Sequence, residues 1–323
     1  MRVKALVAAL TIVVFAAHVS QAEEVPPKVA IAYDIGFLGD NSFNDAVNAA
    51  LSTAKKKYNL VEPFVREVPT NGTAVDRLTR LRFLAKNGYT LIITVGPSYR
   101  DTVRRVSMEF PEVQFAMIND RSLGQLNISN IYFNERDGAY LAGVLAATTS
   151  KRRSVGFVGS EPELLASFTK GVRDSSKEVK VINIPFPDEV GILKKALTKV
   201  DIAYSTWDGD ATVLTTIIDN FSRKVRLISE APDQFFAALP GAEKVTLGRV
   251  EKNLVKPIDQ LIGAALENRA IIDVLDESGG IYGREYSIKN GGITVKVFSN
   301  AAGARAVSSA LARIRLGKVS TRP

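Results

Sequence analysis

The sequence predicts a two-lobed α/β protein in which each lobe has a mostly parallel sheet with helices on both faces. From residue 28 onward, short runs of Val, Ile, Leu and aromatic residues alternate with helical segments, which is typical of doubly wound α/β layers. The runs are nearly continuous in apolar residues, as in strands buried on both faces of a parallel sheet. There are also more of them than one compact parallel sheet needs, and about 300 residues are enough for two lobes.

Seven of these runs are predicted strands, namely Val29–Tyr33, Thr90–Val95, Gln114–Ile118, Ser154–Val158, Val179–Ile184, Asp201–Thr206 and Val225–Ser229. Five segments between them are predicted helices, namely Asn44–Tyr58, Val75–Lys86, Tyr99–Phe110, Arg136–Thr149 and Ala211–Phe221. We interpret Asn127–Phe133, which is polar at its start and then extended, as a crossover between the lobes. We therefore expect residues 28–133 with about 246–285 in lobe 1, and residues 134–245 with about 286–323 in lobe 2.

Residues 1–22 have the pattern of a secretory signal peptide. Arg2 and Lys4 precede an apolar stretch, and Ser, Gln and Ala at 20–22 place small residues where a signal peptidase cleaves. The stretch is shorter than the roughly 20 residues of a membrane span, although an uncleaved anchor is an alternative. We expect the mature chain to begin at Glu23 and to lie outside the cytoplasm. Because the sequence contains no cysteine, we do not expect a lipoprotein anchor.

The composition excludes several classes of enzyme. The one histidine, His18, lies in the signal segment, so the mature chain has neither His nor Cys. Ser–His–Asp and Cys–His catalysis, thiol redox chemistry and zinc sites built on imidazole or thiolate are therefore excluded. The net charge is +8 and falls to +6 without Arg2 and Lys4, but the basic residues are scattered. Their clusters lack the interleaved aromatic residues of a stacking platform, so we expect no nucleic-acid partner.

The segment after the first predicted strand has two open interpretations. In the first, Asp34 accepts hydroxyl groups of a diol, free N–H groups at the helix start favour an oxygen-rich ligand, and Phe43 stacks on a planar base. In the second, residues 40–42 only cap the helix and Phe43 packs as a hydrophobic staple.

Polar residues recur after other predicted strands. Asn119 and Asp120 end one strand, Trp207 stands beside two carboxylates after another, and Asp233 follows a third. Ligands of open α/β sheets lie outside the carboxyl ends of the strands, so we predict a shared cleft for a flat, hydroxylated ligand. These residues do not match a calcium loop, and we expect no metal, no cofactor and no enzyme activity. A glycosidase with paired carboxylates is the alternative that the sequence leaves open.

Several motifs, in order along the chain, resemble the basic membrane protein family, the substrate-binding proteins of nucleoside transporters. They are residues 29–34 (VAIAYD), 40–44 (DNSFN), 110–116 (FPEVQFA), 138–147 (GAYLAGVLAA), 155–159 (VGFVG), 233–234 (DQ), Lys252 and 315–319 (RLGKV). The resemblance implies a type I periplasmic-binding-protein-like fold and capture of a nucleoside, expected to be a purine nucleoside, for an ABC transporter permease. We expect a monomer. A receptor for a sugar or another polar solute, and a ligand-sensing or degenerate member of the same fold, are alternatives.

The resemblance also implies roles for individual residues. Asp34 and Asn44 would bind polar edges of the ligand, and Phe43 would stack on the base. The other implied cleft residues are Phe186 or Trp207 as a second aromatic wall, Gly209 in a glycine loop, Asp233 on the ribose or base, and Lys252 as the basic group.

The chain also departs from the family pattern at three places. Asn119 stands where the family usually has Asp, and residues 231–234 (APDQ) lack one carboxylate unless Glu230 replaces it. Residues 248–251 (GRVE) differ from the family pattern before Lys252.

Overall fold

A computed structural model describes residues 27–35, 37–40, 42–185, 189–206, 211–232, 239–298 and 300–321. The predicted signal segment, residues 1–22, lies outside the described residues. No helix within these ranges combines the length and the apolar character needed to cross a membrane.

The described residues form the following strands: β1 (Lys28–Ala32), β2 (Val65–Val68), β3 (Tyr89–Val95), β4 (Gln114–Ile118), β5 (Ile128–Phe133), β6 (Ser154–Val158), β7 (Lys180–Ile184), β8 (Ile202–Ser205), β9 (Arg226–Ala231), β10 (Thr246–Lys252), β11 (Asp273–Asp276), β12 (Ile281–Tyr286) and β13 (Ile293–Val297). The helices are α1 (Phe43–Tyr58), α2 (Ala74–Lys86), α3 (Arg100–Glu109), α4 (Glu135–Thr149), α5 (Pro162–Ser175), α6 (Val190–Leu197), α7 (Thr212–Phe221), α8 (Ala242–Val245), α9 (Val255–Leu266) and α10 (Ala301–Arg315). A short 3₁₀ turn spans Pro97–Tyr99.

The strands form two sheets, each with helices on both faces. The first sheet has the order β11-β12-β5-β4-β3-β1-β2, and the second has the order β13-β10-β9-β8-β6-β7. Neighbouring strands are parallel except for one antiparallel pair at an edge of each sheet, β11 with β12 and β10 with β13. The predicted two-lobed, mostly parallel α/β architecture is confirmed.

All seven predicted strands and all five predicted helices are present, with ends that differ by one or two residues at most. The crossover interpretation of Asn127–Phe133 needs correction, because this segment is strand β5 and pairs with β4 and β12 inside the first sheet. Its side chains are almost all buried, as a central strand requires. The chain crosses to the second lobe after β5, at Asn134.

The expected lobe boundary near residue 246 is also wrong. Thr246–Lys252 is β10, which pairs in parallel with β9 and therefore belongs to the second sheet. Its apolar side chains Leu247 and Val250 are buried, and a Cβ on Gly138 of α4 would meet Val250 at 2.4 Å. The chain returns to the first lobe with α9, which packs against α1. The third crossing lies between β12 and β13, close to the expected position at 286.

Helix α4 is the central element of the second lobe. Every residue from Asp137 to Ala147 is buried, because α5, α10 and the second sheet surround the helix. It lies very close to α5 at two glycines, since a Cβ on Gly143 would meet the Phe168 carbonyl oxygen at 2.2 Å and one on Gly171 would meet the Tyr140 carbonyl oxygen at 2.0 Å. The helix start at Glu135 is thereby fixed at the point where the two lobes meet.

Candidate functional site: a cleft between two carboxyl edges

The carboxyl edges of the two sheets face each other and are in contact. Ser42, at the start of α1 in the first lobe, donates its hydroxyl to the carbonyl oxygen of Pro232, just after β9 in the second lobe, at 2.6 Å. Next to it, the ammonium of Lys252, the last residue of β10, lies 5.5 Å from the centroid of the Phe43 ring. The lobes are therefore closed on one another at this position.

Lys252 lies at the centre of a charged group that joins the two edges. Its side chain is 1% exposed, and its Nζ lies 2.6 Å from a carboxylate oxygen of Glu135 and 3.9 Å from one of Glu230. Glu230 is itself buried and accepts a hydrogen bond from the hydroxyl of Tyr204. A buried ammonium needs such partners because its charge is costly away from water. The cluster supplies both a cation and anions to any molecule held between the lobes.

Asn119 extends this cluster into the first lobe. It follows β4 with φ of 60°, a left-handed conformation that Asn tolerates better than most residues. Its side-chain amide donates to Glu135 at 3.4 Å. The structure thus brings three of the predicted site residues together. Asn119 and Lys252 both contact the carboxylate of Glu135, and Phe43 contacts Lys252.

Asp34 lies at the end of β1 but already has strong partners. Its carboxylate accepts a hydrogen bond from Arg77 of α2 at 2.9 Å and one from the hydroxyl of Ser98. The Arg77 side chain is 8% exposed, whereas that of Asp34 is 24% exposed. Asp34 therefore keeps one side open to solvent while a buried guanidinium neutralises it. A ligand hydroxyl would have to share this carboxylate with both groups.

Asn44 holds the loop after β1. It is 2% exposed, and its side-chain amide accepts from the backbone N–H of Asp34 at 3.3 Å and donates to the carbonyl oxygens of Asp34 and Ile35 at 3.4 Å each. The capping of α1 is done by Asp40, whose carboxylate accepts from the backbone N–H groups of Ser42, Asn44 and Asp45. The structure thus gives the amide of Asn44 backbone partners in place of the predicted ligand contact.

Asp120 is likewise engaged within the first lobe. It is 4% exposed and accepts two hydrogen bonds from the Arg100 guanidinium, at 3.0 and 2.6 Å. Its other oxygen accepts from the backbone N–H and the hydroxyl of Ser122. With four donors on one carboxylate, Asp120 fixes the loop after β4 and so positions Asn119.

The remaining predicted site residues, Phe186, Trp207, Gly209 and Asp233, lie outside the described residues. Within the described ranges, no group of three or more Asp or Glu side chains is placed to hold a metal ion.

Two cleft residues were not predicted as site residues from the sequence. Glu135 lies two positions after the end of β5. It is therefore a polar residue at the carboxyl end of a strand, which is the same pattern that indicated the other site residues. The sequence indicates Ser42 only as a helix cap. Its contact with Pro232 joins residues 190 positions apart, which no local pattern indicates.

The two-lobed arrangement is the fold of solute-binding proteins of ABC transporters. A solute-binding protein of an ABC transporter system from Conexibacter woesei superposes with a TM-score of 0.65 at 17% identity, covering 91% of this chain and 98% of that one. A transcriptional activator of the comK gene from Bacillus halodurans superposes with a TM-score of 0.69 at 18% identity, covering 90% of this chain and 99% of that one.

Residues 27–184 match the model of the Bmp family, described as PnrA-like ABC transporter substrate-binding proteins. The chain is 29% identical over 163 residues to basic membrane protein A1 of Borrelia garinii subsp. bavariensis, covering 48% of this chain and 47% of that protein. It is also 29% identical over 154 residues to the ABC transporter nucleoside-binding protein BmpA of Lactococcus lactis subsp. cremoris, covering 47% of this chain and 44% of that protein. The matched part spans less than half the length of these curated relatives.

Proposed function

We propose that this chain is an extracytoplasmic receptor that encloses a nucleoside, expected to be a purine nucleoside, between its lobes. It passes the ligand unchanged to the permease of an ABC transporter. The family match over residues 27–184 supports the class of protein, and a relative whose name includes nucleoside binding supports the class of ligand.

The observation that carries the proposal is the contact between Phe43 and Lys252 across the cleft. The ring offers a flat apolar face, on which a base stacks with a stabilisation of about 1–3 kcal/mol. The ammonium beside it is a hydrogen-bond donor for a carbonyl oxygen or ring nitrogen of the base. Because Lys252 is held by Glu135, its position does not depend on the ligand. Phe43 and Lys252 together would select a planar ring with acceptor atoms at its edge.

The sugar would lie toward the carboxylates. Asp34 is partly exposed at the edge of the cleft, and ionised carboxylates are acceptors for paired hydroxyl groups. Arg77 and Ser98 hold this carboxylate in one orientation, so little side-chain entropy is lost when a hydroxyl binds. We assign the ribose to this side of the cleft and the base to the Phe43 side.

Entry of a ligand requires the lobes to separate. The Ser42–Pro232 hydrogen bond and the Phe43–Lys252 contact both cross the cleft and both must break. The three crossings between the lobes are short and bonded to one another, since the N–H of Asn134 donates to the carbonyl oxygen of Tyr286 and that of Asn253 donates to Gly292. Short segments of this kind suit a hinge motion.

Thermal unfolding of the purified chain with a panel of small molecules tests the proposal. A ligand present at about a hundred times its dissociation constant adds about 2.7 kcal/mol to the free energy of unfolding. Guanosine, inosine or adenosine should raise the melting temperature, whereas ribose alone should not. A shift with free sugars but with no nucleoside would instead indicate a sugar receptor.

A second candidate is a sensing or degenerate member of the same fold. It is favoured by the occupied polar groups, because Arg77 engages Asp34, Arg100 engages Asp120, and backbone groups engage Asn44. Such a protein would keep its melting temperature unchanged with every nucleoside and sugar in the panel.

A further inference from the structure

The amino edge of the second sheet, on the side away from the cleft, carries a second cavity. Strands β6, β8 and β9 begin side by side there, with Val155 in register with Ile202 and Ile202 in register with Arg226. Backbone hydrogen bonds join the preceding loops, since the N–H of Asp201 donates to Ser154 and that of Arg226 donates to Asp201. The loops before the three strands are therefore held together. They line an open cavity of about 910 Å³.

Five basic side chains from two of these loops and the start of β9 line this cavity, namely Lys151, Arg152, Arg223, Lys224 and Arg226. The cavity is thus strongly positive, and it is separated from the ligand cleft by the length of the sheet.

Asp201 is the one carboxylate among the described residues of the lining, and it does not balance this charge. It accepts hydrogen bonds from the hydroxyl of Ser150 at 2.6 Å and from the backbone N–H groups of Lys151 and Arg152 at 2.7 and 2.9 Å. Its lone pairs are therefore directed at residues 150–152 of the loop before β6. In the described part of the chain, none of Lys151, Arg223 and Lys224 forms a salt bridge, so their charges remain available to a ligand.

The least exposed of the basic groups, Arg226, is fixed in place. The Arg226 guanidinium donates to the carbonyl oxygens of Val245 and Thr246 at 3.3 and 3.2 Å, and burial lowers the pKa of this side chain. Arg152 likewise donates to the carbonyl oxygen of Thr198 at 2.9 Å. Two orientated guanidinium groups in a concave site suit the recognition of phosphate oxygens.

We infer that this cavity is a binding site for a phosphate-bearing anion, separate from the solute cleft. Its volume lies within the range of small-molecule sites, about 300–1,000 Å³, and exceeds what a single phosphate fills. The hydroxyl and amide groups of Thr149, Ser222 and Asn300 line the same cavity and suit the remainder of such a ligand. The ligand is either a free phosphorylated molecule or the headgroup of an anionic lipid, and the two share the same recognition chemistry.

The test compares two double variants of the full chain that remove the same charge. Lys151→Ala with Lys224→Ala changes the cavity, whereas Lys56→Ala with Lys86→Ala removes two exposed lysines of the first lobe. Calorimetric titration at low ionic strength uses sodium pyrophosphate as the free probe. Co-sedimentation uses phosphatidylcholine vesicles with and without phosphatidylglycerol as the lipid probe.

We expect the unaltered chain to bind pyrophosphate or the anionic vesicles. The affinity of the cavity variant should be lower by about tenfold or more, and that of the first-lobe variant should equal the affinity of the unaltered chain. Pyrophosphate binding assigns a free ligand, and binding only to the anionic vesicles assigns a lipid headgroup. Absence of binding to both probes would overturn the inference, as would equal weakening in the two double variants. Circular dichroism checks folding, and the single variant Arg223→Gln repeats the test should the cavity variant unfold.

Discussion

Lys252 and Phe43 belong to opposite lobes, yet the Lys252 ammonium lies 5.5 Å from the centre of the Phe43 ring. Lys252 is the last residue of β10 in the second sheet, and Phe43 is the first residue of α1 in the first lobe. The contact exists only when the lobes are closed, so under the proposed function it would link ligand recognition to closure. A ligand held between the lobes would meet both residues, whereas open lobes would present them separately.

The buried ammonium of Lys252 should contribute to folding as well as to recognition. In Lys252→Met, Glu230 and Glu135 lose their cation, and an uncompensated buried carboxylate should lower the free energy of unfolding by about 3 kcal/mol. Urea denaturation measures the change. Lys296→Met is the matched control, because Lys296 is an exposed lysine on the neighbouring strand β13, where about 0.5 kcal/mol or less is expected. Equal losses in both variants would contradict the role of the cluster.

Asn44 should act through the loop after β1. In Asn44→Ala, the backbone groups of Asp34 and Ile35 lose their amide partner, which should lower the free energy of unfolding by about 1–3 kcal/mol. Denaturation and nucleoside titration of the same variant separate the two possible roles. Normal stability with complete loss of nucleoside binding would instead identify Asn44 as a direct ligand contact.

The close packing of α4 on α5 should not tolerate a methyl group. In Gly143→Ala the new Cβ would lie 2.2 Å from the Phe168 carbonyl oxygen, and forcing the helices apart should cost about 1–3 kcal/mol. The control is Gly191→Ala in α6, where a Cβ meets nothing within 4 Å and alanine should be neutral or stabilising. Thermal melting compares the two, and a Gly143→Ala protein as stable as the control would refute the packing.

Asp76, beside Arg77 on α2, should make stability depend on acid pH. Its hydrogen bond from Arg80 lowers its pKa from 3.8 to about 2, assisted by the N–H of Asn71 and the hydroxyl of Thr70. Since the folded-state pKa is the lower one, the stabilising contribution is present above pH 3.8 and is lost as the pH falls toward 2.

Asp76→Asn tests this directly. The difference in unfolding free energy between the unaltered chain and the variant should be constant near neutral pH and should shrink between pH 4 and pH 2. A difference that does not change over that interval would show that the carboxylate is not selectively stabilised in the folded chain.

The fold was predictable from sequence where strands are buried on both faces. Strands β3 and β4 are nearly continuous in apolar residues and are found with almost the predicted bounds. Strands β2 and β11 lie at the two edges of the first sheet. They carry exposed residues such as Arg66 and Asp273, so their sequences lack the continuous apolar pattern. The same difficulty applies to β13, which alternates exposed and less exposed residues.

The candidate site was predictable only in part. Strand ends and the family resemblance pointed to Phe43, Asn119 and Lys252, which the structure brings together. Asp34 pairs with Arg77 and Asp120 pairs with Arg100, and these partners are 43 and 20 positions apart in the sequence. Tertiary packing creates those ion pairs, and no local spacing encodes them.

Calorimetric titration of inosine into the unaltered chain and into Phe43→Leu is the most direct measurement of the central proposal. We expect saturable binding to the unaltered chain, and a weakening of about 5- to 150-fold in the variant, corresponding to about 1–3 kcal/mol of lost stacking, with little change in melting temperature. Equal affinity in the two proteins, or no heat of binding with the folded unaltered chain, would contradict the assignment of a nucleoside to this cleft.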